Sequence, residues 1–119
     1  MRFVVNIDSE LSSIELTQTR ILLDFGNVKI GLGAEFLLDY ESFGTRIVEK
    51  IDPWKRTGDL CNLWKLIGIR TSGLLVAEEA AQIAFESNYN IWCGNSTNYE
   101  LIEVWNGGEF FTYPQILSL

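Results

Sequence analysis

The chain is 119 residues long, 47% hydrophobic and 21% charged, with a formal net charge of −7 and no histidine. That length is one domain's worth, enough to bury a core without disulfide or metal staples, and the composition is that of a folded globule rather than a disordered tail. The negative balance argues against nucleic acid and anionic membrane as partners, and the lack of histidine removes the commonest general base, the commonest metal ligand and every Ser-His or Cys-His catalytic pair.

Taken in chain order, the elements suggest one α+β domain over residues 1–119: mainly antiparallel sheet, two to four short helices and a C-terminal three-stranded meander. Arg2 to Ile7 reads as an opening strand, with Asp8-Ser9 a helix cap after it. From Leu11 the positions Leu11, Ile14, Ile21, Leu22 and Phe25 fall on a helical stripe that Gly26 can close. The Ile21-Leu22-Leu23 run fits a strand as well, so Thr17 to Phe25 stays open between the two. Val28 to Tyr40 alternates strictly, with Val28, Ile30, Leu32, Ala34, Phe36, Leu38 and Tyr40 on one side. Period two over that length means one long strand, or two strands bent at Gly31 and Gly33. The glycines of GNVKIGLG match no phosphate-loop spacing and lie inside the alternation.

Ser42 to Lys50 is expected to form a short helix, with Phe43, Ile47 and Ile51 four apart, broken at Asp52-Pro53. Asp59 can cap another helix whose inner face is Leu60, Leu63, Trp64 and Ile67, closed by Gly68. Ala77 to Glu86 (AEEAAQIAFE) is rich in strong helix formers and is expected to be helical. Tyr89–Cys93, Tyr99–Trp105 and Glu109–Tyr113 read as the three strands of the meander, with Asn106-Gly107-Gly108 a hairpin turn between the last two.

Motifs for chemistry are sparse. No cofactor fingerprint occurs, and two cysteines without histidine cannot build a Cys/His zinc site. Cys61 and Cys93 are expected to be reduced, packed thiols, and the acids around Cys93 would raise its pKa. Asn95-Ser96-Thr97 matches a glycosylation triplet, but the apolar stretch before Asp8 is too short for a signal peptide, so the triplet reads as a loop and the chain as cytoplasmic. No apolar run approaches the roughly 20 residues of a membrane helix. Trp54, Lys55, Arg56, Trp64 and Lys65 form the one basic and aromatic cluster, with the overall charge set against a nucleic-acid role. Asp39, Glu41 or Cys61 would serve the alternative of a small ligand-binding domain or carboxylate-dependent enzyme with a pocket between helix and sheet.

Charge layout points elsewhere. Residues 1–70 hold ten acids and nine bases, whereas residues 71–119 hold Glu78, Glu79, Glu86, Glu100, Glu103 and Glu109 and no lysine or arginine. In the last hairpin, Leu101, Glu103, Trp105 and Phe110 share one face, and Ile102, Val104 and Phe111 the other, core-like one. The first set, with Tyr99, Glu100 and Glu109 beside it, suits an interface with aromatic anchors and a cationic partner. The alternative is that both faces are covered, Trp105 by the Ala77–Glu86 helix.

A short, acidic, catalytically empty chain with the Lys- and Arg-free tract from Thr71 to Leu119, the ELIEVWNGGEFF hairpin and the AEEAAQIAFE segment resembles a bacterial immunity protein of the contact-dependent inhibition or polymorphic-toxin type. The resemblance implies a non-enzymatic inhibitor of a cognate toxin, often a basic nuclease, whose active site or substrate surface it covers. The toxin's lysines and arginines would meet Glu78, Glu79, Glu86, Glu100, Glu103 and Glu109, with Tyr99, Trp105 and Phe110 as apolar contacts. No cofactor, nucleic acid or membrane is implied, and oligomeric state is unread.

Overall fold

A computed structural model describes residues 2–53, 60–77, 80–94 and 102–113. Strands dominate the described residues, so the α+β expectation is corrected to a nearly all-β protein of two antiparallel sheets. The strands are β1 (Arg2–Glu10), β2 (Ser13–Leu16), β3 (Ile21–Asp24), β4 (Val28–Leu32), β5 (Phe36–Ser42) and β6 (Thr45–Ile51). After one five-residue helix, α1 (Leu60–Trp64), come β7 (Arg70–Ala77), β8 (Ala80–Phe85), β9 (Asn90–Gly94), β10 (Ile102–Asn106) and β11 (Glu109–Tyr113). One sheet runs β1-β7-β8-β9-β5-β6 and the other β11-β10-β4-β3-β2.

Each sheet turns one side chain in two toward a common core. Ile21, Leu23, Val28, Ile30, Leu32, Ile102 and Val104 come from the five-stranded sheet; Val5, Ile7, Phe36, Leu38, Leu74, Val76, Ile83 and Ile91 come from the six-stranded one. Sheet-on-sheet burial is what strict alternation on both layers demands. The alternating run from Val28 is two strands, as one of its readings had it, but the chain crosses from one sheet to the other between them, over residues 33–35.

The expected helices fail for identifiable reasons. Ala80–Phe85 alternates outer Ala80, Gln82 and Ala84 with Ala81, Ile83 and Phe85 inside, and it is hydrogen-bonded between β7 and β9. Helix propensity is a weak prior, and a partner strand on each side overrides it. Phe43, Ile47 and Ile51 are four apart, an even number, so their spacing suits a strand as well as a helix. The segment is in fact the β5–β6 hairpin, turned at Phe43 (φ +51°) and Gly44 (φ +76°). Leu11 to Phe25 forms no helix but holds the antiparallel pair β2 and β3, which settles Ile21–Asp24 as extended and places a turn before it. In α1 and the turn after it the apolar side chains described as buried are Leu63 and Leu66, while Trp64 and Ile67 are exposed, contrary to the expected inner face. Asn62 joins this segment to the β5–β6 hairpin, donating to the Tyr40 hydroxyl at 3.0 Å and to Glu49 Oε1 at 2.8 Å.

The C-terminal meander does not form either. β9 lies between β8 and β5 in the six-stranded sheet, and β10–β11 forms an edge hairpin of the other sheet. β1 runs past Asp8, whose φ of +46° marks a bulge where the register against β7 shifts. Among the described residues no helix is long and apolar enough to cross a membrane.

Candidate partner-binding face

Register fixes which side chains share the outer face of the five-stranded sheet. Across β11, β10, β4, β3 and β2, one row reads Thr112, Glu103, Gly31, Leu22, Glu15, and the next reads Phe110, Trp105, Lys29, Asp24, Ser13. Glu103, Trp105 and Phe110 therefore share the face read for them from the sequence, with Ile102 and Val104 buried beneath. Trp105 opposes Phe110, and within Asn106-Gly107-Gly108 the two glycines form the two-residue turn.

Trp105 is half-buried and its ring centroid lies 5.1 Å from that of Phe110, tilted by 41°. Phe110 is 55% exposed, an apolar side chain that folding leaves in water. A β-carbon added at Gly31 would meet Leu22 Cδ2 at 3.1 Å and Trp105 Cζ3 at 3.4 Å, so the missing side chain there gives the indole its seat. Beside Trp105 lies a groove of about 470 Å³ whose lining includes Leu22, Glu15, Asp24, Asn27 and Lys29. Its end is formed by the β3–β4 turn, tied by Ser9 Oγ donating to the Phe25 carbonyl at 2.9 Å and by the Gly107 amide donating to the Asn27 carbonyl at 3.3 Å.

The acids divide by their partners. Glu103 is only 12% exposed at its side chain and is ion-paired with Arg20, which the Thr17 hydroxyl holds through the Arg20 backbone amide at 3.0 Å. It is part of the sheet's own structure rather than free for a partner. Glu109 is exposed next to the hairpin turn, in the row of Asn106 and Val28 and so on the opposite side of β11 from Phe110. Glu86 is exposed too, but in the β8–β9 turn of the other sheet. Glu78, Glu79, Tyr99 and Glu100 lie outside the described residues. Glu15 and Asp24 were missed because they come from a segment whose apolar residues also fit a helical stripe. The alternation of Leu22 and Asp24 against Ile21, Leu23 and Phe25 was the available signal.

The residues proposed for chemistry sit apart from this face. Asp39, on the outer face of the six-stranded sheet, accepts from Arg46 Nε at 3.0 Å, Arg46 Nη2 at 2.8 Å and Trp92 Nε1 at 3.3 Å. Hydrogen bonding to the Arg46 guanidinium holds its carboxyl below the ordinary 3.8, against the opposing effect of burial. The unfolded chain takes up this proton first as pH falls, so the pair's contribution is whole above about pH 3.8 and is lost as pH drops through the lower folded value. Asp39→Asn is expected to unfold with a flatter acid dependence than wild type between about pH 5 and pH 2, read by circular dichroism. Glu41 is exposed. Cys93 is free and buried, and burial, rather than neighbouring acids, pushes its thiol up to about 12. Trp54, Lys55 and Arg56 of the basic cluster, the Asn95-Ser96-Thr97 triplet and the side chain of Cys61 lie outside the described part of the chain. No group of three or more His, Cys, Asp or Glu side chains among the described residues is placed to hold a metal.

The six-stranded sheet has an outer face of different character. One row crosses all its strands as Lys50, Leu37, Trp92, Gln82, Leu75 and Val4, with Val48 exposed in the row beside it. Here Leu37, Trp92, Leu75, Val4 and Val48 are interspersed with charges paired within the sheet, Lys50 with Glu35 and Arg46 with Asp39, whereas the Trp105 face joins aromatics to carboxylates.

Fold and face together define a two-layer antiparallel β protein with an aromatic, acid-lined groove on its smaller sheet. No protein-family model, curated protein or solved structure matches the chain.

Proposed function

We propose that this chain is a non-enzymatic protein-binding module that acts in the cytoplasm and neutralises a cognate basic, nuclease-type bacterial toxin by covering its active site or substrate-binding surface. The observation that supports the reading is the outer face of the five-stranded sheet, where half-exposed Trp105 and Phe110 stand beside Glu15 and Asp24, with Glu109 exposed at the adjoining hairpin turn. Buried aromatic anchors supply most of the energy at such interfaces, and a charged rim speeds encounter with an oppositely charged partner. The mechanism is steric and electrostatic occlusion: carboxylates occupy the lysines and arginines with which a nuclease would hold phosphates. Of the glutamates read from the sequence, Glu103 is assigned to the Arg20 pair, and Glu15 and Asp24 take its place.

Affinity capture from lysate of the source organism tests this, comparing wild type with Glu15→Lys/Glu109→Lys at low and high salt. Both positions are exposed and neither carries an ion pair among the described residues, so folding is not at stake. A basic toxin or toxin fragment is expected to be retained by wild type, at least tenfold less by the variant, and less at high salt as charges are screened. Absence of any stoichiometric basic partner, with the toxin independently confirmed in the lysate, would remove the inhibitor reading. A partner held equally by both proteins would move the interface off this face.

A further inference from the structure

We infer that the groove beside Trp105 is the seat of a single arginine side chain presented by the partner, an inference that rests on the protein-binding reading above. The groove brings together Leu22 and Trp105 on its apolar side and Glu15 and Asp24 on its polar side, from three strands. A guanidinium suits this combination better than an ammonium. Its plane stacks on an indole face, and its forked N–H donors match carboxylate oxygens in pairs.

Acceptor capacity is present on both carboxylates. Asp24 Oδ1 accepts from the Gly26 amide at 2.8 Å, which fixes the side chain, while Oδ2 faces Lys29 Nζ at 3.9 Å, too far for a hydrogen bond. Glu15 receives no hydrogen bond or ion pair among the described residues. Lys29 is 59% exposed on a flexible stem and can swing into solvent as a guanidinium enters. The neighbouring Arg20–Glu103 pair is already neutralised within the sheet, so two carboxylates against one ammonium set the groove's sign. An anionic ligand would be repelled there, and a neutral one would leave the carboxylates unmatched.

The test uses the full chain and the peptide acetyl-Gly-Arg-Gly-amide, with its citrulline counterpart as the neutral isostere. The readout is the indole N–H resonance of Trp105 in labelled protein, assigned by its loss in Trp105→Phe. A saturable shift is expected with the arginine peptide, at least tenfold weaker in Glu15→Gln/Asp24→Asn and absent with citrulline. Both replacements keep the shape of the native side chain, and the amide introduced at position 24 retains an oxygen that can accept from Gly26, so the variant isolates charge. No saturable shift up to about 10 mM, well beyond the millimolar affinity of a weak contact, would overturn the inference. So would equal shifts with citrulline or with the variant. If the peptide fails while the toxin is still captured by wild type and lost in Glu15→Lys/Glu109→Lys, the arginine seat alone is wrong. If capture fails as well, the inhibitor reading falls with it.

Discussion

Gly73→Ala is expected to destabilise the protein by about 2–3 kcal/mol, although alanine is ordinarily the better strand residue. A β-carbon at this position would lie 2.6 Å from the Val5 carbonyl oxygen and 3.8 Å from Asn6 Cα, both backbone atoms of the neighbouring strand. No rotamer change can relieve such a contact, so β1 must move away from β7. The close approach arises where both partners are irregular. Register shifts between Asn6 and Ser9 on β1 and between Thr71 and Gly73 on β7, so Ser72 is left over against β8. Consequences extend to the groove, because the same bulge brings Ser9 within reach of the Phe25 carbonyl on the β3–β4 turn. Gly94→Ala is the control: nothing among the described residues lies within 4 Å of its added carbon and its φ is not left-handed. That variant is expected to be neutral or to gain up to about 1 kcal/mol from a less flexible unfolded chain. Urea midpoints at unchanged slope measure both. Equal midpoints for Gly73→Ala and wild type would show that the strands are not so close.

Glu103→Lys is expected to cost about 2–3 kcal/mol, by placing an ammonium beside Arg20 in a site where the native carboxylate is only 12% exposed. Breaking a fully buried pair costs about 3–5 kcal/mol. The figure is reduced here because the Arg20 side chain is 36% exposed, and because its Nε finds no acceptor among the described residues. The exchanged pair Arg20→Glu/Glu103→Lys is expected to recover part of the loss, and the double-mutant cycle gives the coupling. Additive effects would mean that the pair carries no energy. A loss of partner binding in Glu103→Lys therefore reports on folding before it reports on an interface, whereas Glu15 and Glu109 are free of that ambiguity.

How much of this was legible depended on whether the deciding interaction was local. The β10–β11 hairpin was readable because Asn106-Gly107-Gly108 supplies its turn and alternation separates Ile102 and Val104 from Glu103 and Trp105. β8 was not, since Ala80, Ala81, Gln82 and Ala84 favour a helix by themselves and become strand only between β7 and β9. Phe43, Ile47 and Ile51 satisfied both periods. On the candidate site, the aromatic half came from one hairpin and was visible. The acidic half came from β2 and β3, about eighty residues earlier in the chain, and only the β3–β4–β10 register places it there.

Composition, charge layout and alternation thus sufficed for a sheet-rich chain with an aromatic, acidic C-terminal hairpin, because these follow from each residue's own polarity and its near neighbours. Which strands pair, which carboxylates are neutralised and which stay free belonged to the tertiary structure. Strand pairing joins residues far apart in the chain, and a carboxylate's role is settled by the cation that folding brings to it: Arg20 for Glu103, Arg46 for Asp39, and none for Glu15 among the described residues.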